Sequence, residues 1–161
     1  MTTTTNKAPL AVSASRVIDA SPEQLYDLVA DVTRMGDWSP ETVTAEWIGD
    51  ADGPAVGARF KGSNAAGPNK WATKPTVVEA ERGSVFAFKV PGKSGPMWRY
   101  EFTELASGGT RVTESMKQTH RSPLFIRLLQ KRAGITDRAA DLALNLETTL
   151  ENLAQSAEDA R

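Results

Sequence analysis

The strongest constraint on this chain lies at its C-terminal end. Leu142, Leu146, Leu150 and Leu153 recur at helical spacing and form the one long apolar helical stripe in the sequence. Between Glu41 and His120 the pattern is different: short β-prone runs are cut by Gly, Pro and Asn clusters. A sheet with one apolar face must cover that face, and the C-terminal stripe is the cover at hand. The sequence therefore predicts one α+β domain, a curved antiparallel sheet around a long C-terminal helix with an apolar cavity between them.

The element order follows from local signals. Val12 to Ala20 reads as a first strand. Ser21 is then placed to be an N-cap, Pro22 fits the first helical position, and Gln24 completes a capping box. Leu25, Leu28 and Val29 carry this helix to about Asp31, and a second helical turn covers Val32 to Gly36. Asp37-Trp38-Ser39-Pro40 stops it, because the residue before a proline avoids the helical region. Six strands follow, over Thr42 to Gly49, Ala58 to Ser63, Trp71 to Glu81, Ser84 to Val90, Met97 to Leu105 and Thr110 to Thr119. Connections this short join antiparallel neighbours. With the first strand they make a seven-strand sheet in the order β-α-α-β6-α.

In the last segment Leu124, Phe125, Leu128 and Leu129 begin a helical stripe that Gly134 interrupts, and Thr136-Asp137 resembles a fresh N-cap. Arg127, Lys131 and Arg132 precede Gly134, whereas Asp141, Glu147 and Glu151 follow it. That order suits two helix dipoles meeting at Gly134 and predicts a kink or break there. The domain is expected over residues 10–156, with a disordered Thr-rich lead-in over 1–9 and a frayed end over 157–161.

Composition removes several function classes. A net charge of -1, from 19 basic and 20 acidic side chains, gives no general pull toward nucleic acid or an anionic membrane. Cysteine is absent and His120 is the only imidazole, which leaves no thiolate nucleophile and makes a metal site unexpected. No segment reaches the length of a membrane span and the polar N-terminus has no signal-peptide core, so a cytoplasmic protein without stable membrane insertion is expected. Oligomeric state is not readable. There is no nucleophile elbow, phosphate loop or dinucleotide fingerprint, and no cofactor is expected.

Side-chain parity proposes the lining. Trp98, Tyr100 and Phe102 share one face of their strand, as do Phe86 and Phe88 of theirs. A hairpin turn near Ser107 sets Phe102 opposite Val112, Tyr100 opposite Glu114 and Trp98 opposite Met116, and directly opposite residues share a face. Glu114 then sits among aromatic rings, where an unpaired charge is costly. It either pairs with Tyr100 or a buried Arg to fix the sheet, or anchors a ligand in an apolar pocket. A one-residue bulge would turn it outward. Leu142, Leu146 and Leu150 face this row across the cavity.

The loops Asn64 to Asn69, Pro91 to Pro96 and His120 to Pro123 are expected at one end of the sheet, as the mouth. Trp38 and Phe125 are candidates to close it, Trp38 equally as a packed plug. Acid/base candidates are Glu114, Tyr100 and His120. Arg59 is expected at the surface if Phe60 faces inward, and His120 is simply solvated if it has no partner.

These residues carry a resemblance. Ser15-Arg16-Val17-Ile18-Asp19-Ala20-Ser21-Pro22-Glu23-Gln24-Leu25-Tyr26, Asp37-Trp38-Ser39-Pro40, Val56-Gly57-Ala58-Arg59-Phe60-Lys61-Gly62-Ser63-Asn64, Trp98-Arg99-Tyr100-Glu101-Phe102 and Gly109-Thr110-Arg111-Val112-Thr113-Glu114-Ser115 are similar to the START-like or Bet v 1-like helix-grip superfamily. Within it the chain resembles the bacterial polyketide cyclase/dehydrase and lipid transport group, from about Val12 to Leu153. The resemblance implies the same grip of sheet on helix. It also implies an apolar or amphipathic ligand such as a lipid, polyketide or other aromatic or isoprenoid compound. It carries no universal catalytic motif. The alternatives it leaves are a metal-free cyclase/dehydratase-type enzyme, and a protein-interaction or co-chaperone-like module. Its iron-containing oxygenase branch needs two His and a carboxylate, which one His cannot supply.

Overall fold

A computed structural model describes residues 9–132, 134 and 137–160. The lead-in expected over 1–9 lies, apart from Pro9, outside the described residues, as does Thr136 of the expected N-cap. The chain runs β1 (Ala11–Ile18), α1 (Pro22–Ala30), a 3-10 turn (Val32–Arg34) and α2 (Met35–Trp38). Strands β2 (Thr42–Ile48), β3 (Arg59–Ala66), β4 (Asn69–Thr73) and β5 (Thr76–Glu81) come next. They are followed by β6 (Val85–Lys89), β7 (Met97–Glu104), β8 (Thr110–Lys117), α3 (Leu124–Arg132) and α4 (Arg138–Asp159).

The sheet is antiparallel throughout, in the order β1-β8-β7-β6-β5-β3-β2, with β4 also on β3. The leg expected as one strand over Trp71 to Glu81 is two strands. Pro75 has no N–H for the ladder, so pairing lapses around it. Gly62 still faces Thr73 and Arg59 faces Thr76, so β4 and β5 form one leg of a seven-leg sheet in constant register. The loop expected over Asn64 to Asn69 is shorter, a turn of Gly67-Pro68 closed by Ala66 opposite Asn69. Bulges at Val43 and Val78 shift the register of β2 and β5 and add to the curl. At the first bulge α2 comes very close to β2. A Cβ on Gly36 would lie 2.6 Å from the carbonyl oxygen of Val43, so only glycine fits there.

The helices grip from both ends. Ser21 caps α1 reciprocally, its hydroxyl accepting from the Gln24 amide at 3.1 Å while its own amide donates to Gln24 Oε1 at 3.1 Å. α1 buries Leu25, Tyr26 and Val29. The C-terminal helical segment is broken, as the charge order predicts: α3 ends at Arg132, Gly134 adopts φ +83, and Asp137 caps α4 by accepting from the Ala140 amide at 3.1 Å. α4 runs through Asp159 and buries Ala157, past the boundary expected at residue 156. The Asn152 amide donates to the Trp38 carbonyl oxygen at 3.1 Å, tying α4 to the end of α2.

The interior has two halves. Under α1 it is solid, with Tyr26 set edge-on to Phe86 at 6.2 Å and to Phe102 at 6.0 Å between ring centres. Leu150, Leu153 and Ala154 of α4 close this half with Ile18 and Val112. The other half, under the N-terminal turns of α4, is open.

Candidate functional site

The open half is a cavity of about 520 Å³, within the range of small-molecule sites. Its floor is the inward row of β7 and β8. The hairpin register is unbroken: Trp98 faces Met116, Tyr100 faces Glu114 and Phe102 faces Val112. No bulge turns Glu114 outward, and it is 2 % exposed. Leu142, Leu146 and Thr149 of α4 form the roof, and Phe60 and Phe88 form part of the wall.

Glu114 is the chemical misfit in this lining. The Tyr100 hydroxyl donates to its Oε1 at 2.7 Å, while Oε2 is shielded and has no partner among the described residues. Burial pushes its carboxyl up from the ordinary 4.5 to about 8, and the Tyr100 hydrogen bond pulls weakly the other way. The acid is therefore neutral at pH 7, with one O–H to donate. Burial, and then the neighbouring Glu114, hold the Tyr100 phenol well above its usual range, so it stays protonated. Two residues further along the same face comes Met116, and two beyond it Gln118. Gln118 Nε2 donates to the Ser94 carbonyl oxygen at 2.9 Å, but its buried Oε1 has no partner among the described residues.

Seven of the residues expected to line the site meet here: Phe88, Trp98, Tyr100, Glu114, Met116, Leu142 and Leu146. The others do not border the cavity. Phe86 and Phe102 lie in the solid half against Tyr26, together with Leu150, because α1 fills that end of the concave face. Trp38 is the plug rather than the rim, 1 % exposed and stacked by Arg34, whose guanidinium sits 5.6 Å from the ring. Phe125 is exposed on the outer side of α3, whose inner side presents Ile126 and Gln130 to the cavity. His120 is exposed, with Nδ1 3.1 Å from the Thr119 hydroxyl, and does not border the cavity. Arg59 does not border the cavity, and Phe60 is inward.

Residues of all three loops expected at the mouth line the cavity, Asn69, Ser94 and Ser122 among them, and Ser94 and Ser122 both bond Gln118. Two lining features have no sequence forecast. Trp71 on β4 faces Asn64 across the hairpin and carries the lining out over the mouth. At the start of α4, Arg138 is paired with Glu41, Nη2 to Oε2 at 3.0 Å, and the Asn145 amide donates to Glu41 Oε1 at 3.2 Å. This ion pair is mostly shielded, its side chains 18 % and 16 % exposed, and it bolts the broken end of α4 to the sheet beside the opening.

A long helix held across a curled antiparallel sheet, with a cavity between, defines the helix-grip class. The family described as polyketide cyclase/dehydrase and lipid transport matches residues 9–158, and the chain belongs to it. Among solved structures, the polyketide-cyclase-like protein Cgl2372 from Corynebacterium glutamicum is 31% identical. That match has a TM-score of 0.59 and covers 91% of this chain and 90% of that one. TTHA0849 from Thermus thermophilus matches with a TM-score of 0.70 at 21% identity, over 93% and 98% of the two chains. A START superfamily protein from Mycobacterium smegmatis matches with a TM-score of 0.67 at 15% identity, over 94% and 99%. No curated protein matches the sequence.

Proposed function

We propose that the protein binds an apolar or amphipathic small molecule, of the lipid, polyketide or isoprenoid kind, in the cavity between the sheet and α4. The carrying observation is the buried Glu114 in the lining of an otherwise largely apolar space, with Oε2 without a partner among the described residues. A ligand oxygen that accepts from its Oε2 would satisfy the Glu114 oxygen that has no partner among the described residues. Family membership supports the same ligand class. A cytoplasmic location belongs to this reading, and among the described residues no helix is long and apolar enough to cross a membrane.

A titration with the neutral dye N-phenyl-1-naphthylamine tests it. The expected result is saturable binding with energy transfer from tryptophan, since Trp98 lines the cavity. Met116→Trp fills the floor and is expected to weaken binding at least tenfold, because the added ring takes the space of the dye. Equal affinity in this variant, or no saturable binding by the wild type, would contradict the cavity as the site.

The state of Glu114 also favours a second reading, an acid/base enzyme of the cyclase/dehydratase type. A neutral carboxylic acid at pH 7 is able to protonate a departing hydroxyl, which leaves as water, and the resulting carboxylate is able to take a C–H proton in return. This reading expects Glu114→Gln to keep dye binding and lose turnover. Turnover unchanged in that variant would remove it.

A further inference from the structure

Among the helices described, α3 alone buries none of its side chains. Leu124 and Phe125 are 65% and 64% exposed, and Leu128 and Leu129 are 53% and 50% exposed. Four large apolar groups at helical spacing make one solvent-facing stripe, which a protein of this size ordinarily covers. In sequence the stripe is flanked by cations. Lys117, Arg121, Arg127, Lys131 and Arg132 occur in a stretch with no Asp or Glu between Glu114 and Asp137, although the whole chain carries a net charge of -1. None of these five is in an ion pair within the described residues. An apolar stripe with basic flanks is the signature of a helix that lies in the interface of a bilayer.

α3 borders the cavity through Ile126 and Gln130 on its inner side and through Leu129 at the edge of the stripe, so the stripe lies beside the mouth. Across that mouth the β3–β4 hairpin presents Lys70 and the part-exposed Trp71, a cation and an interfacial aromatic of the kind that sit at headgroup level. The geometry points to α3 as a docking helix that seats the cavity mouth on an anionic lipid bilayer without insertion. Anionic headgroups complement the unpaired cations, and the acyl boundary covers the four apolar side chains. The attachment needs no bound ligand and stands apart from what the cavity holds.

The test is flotation with vesicles of phosphatidylcholine alone and of phosphatidylcholine mixed equally with phosphatidylglycerol. The expected result is binding at least tenfold tighter to the anionic vesicles, weakening as salt is added. Leu128→Glu and Lys131→Glu change exposed side chains that do not border the cavity. Each is expected to lower vesicle binding roughly tenfold or more, with melting temperature and dye affinity unchanged. Equal or absent binding to both vesicle types, or variants that bind like the wild type, would overturn the proposal. Self-association abolished by Leu128→Glu, without vesicle binding, would overturn it in favour of a second copy of the chain. Loss of dye binding with vesicle binding intact would contradict the cavity reading and leave the docking helix standing.

Discussion

Glu114→Gln is expected to flatten the pH dependence of stability. The carboxyl has an ordinary value of 4.5 in the unfolded chain and about 8 in the native one. The native state thus holds a proton that the unfolded state releases. The corresponding stability is fully present below about pH 4.5, falls as the pH rises, and is lost above about pH 8. From pH 5 to pH 8 the wild type should lose roughly 3 kcal/mol more unfolding free energy than the Gln variant, which has nothing to titrate there. Urea unfolding of both proteins at the two pH values measures the difference. Parallel pH profiles would mean that Glu114 is ionised and solvated in the native state.

Phe86→Ala is expected to cost about 3–5 kcal/mol, the range for removing a fully buried aromatic from a packed core. Phe86 is 0% exposed and touches Tyr26 edge-on, in the half of the interior that α1 fills. Met116→Ala, on the cavity floor, should cost less, because Met116 already has empty space on one side. Thermal or denaturant unfolding of the pair decides it. A larger loss from Met116→Ala would mean that the two halves of the interior are reversed.

Much of this architecture was legible because it rests on local rules. The Ser21–Gln24 box, the parity of the last hairpin and the charge reversal about Gly134 each involve neighbours in sequence or one tight turn. Parity fixed which face Glu114 occupies. It could not fix how deep along the strand a side chain lies, and so Phe86 and Phe102 looked like lining when α1 covers them. Trp38 showed the same ambiguity, since an aromatic at the end of a short helix reads equally as plug or rim.

The remaining lining depends on contacts between distant segments. Glu41 and Arg138 are 97 positions apart, and no spacing in the sequence joins them. Gln118 lies one residue past β8 on the parity of Glu114 and Met116, but its Oε1, without a partner among the described residues, depends on how Ser94 and Ser122 close over it. Trp71 was legible in principle from its pairing with Asn64, once the Gly67-Pro68 turn is read as two residues. The break at Pro75 was hidden because the register continues unchanged across it.

A neutral Glu114 bordering a ligand cavity must titrate late and feel the ligand. Carboxyl-carbon NMR of Glu114, titrated from acid to alkali with and without N-phenyl-1-naphthylamine, tests it most directly. The expected midpoint is near 8 in the free protein, moving higher with the dye as the cavity is desolvated further. A midpoint near 4.5 that ignores the dye would contradict both the burial of the acid and its place at the site.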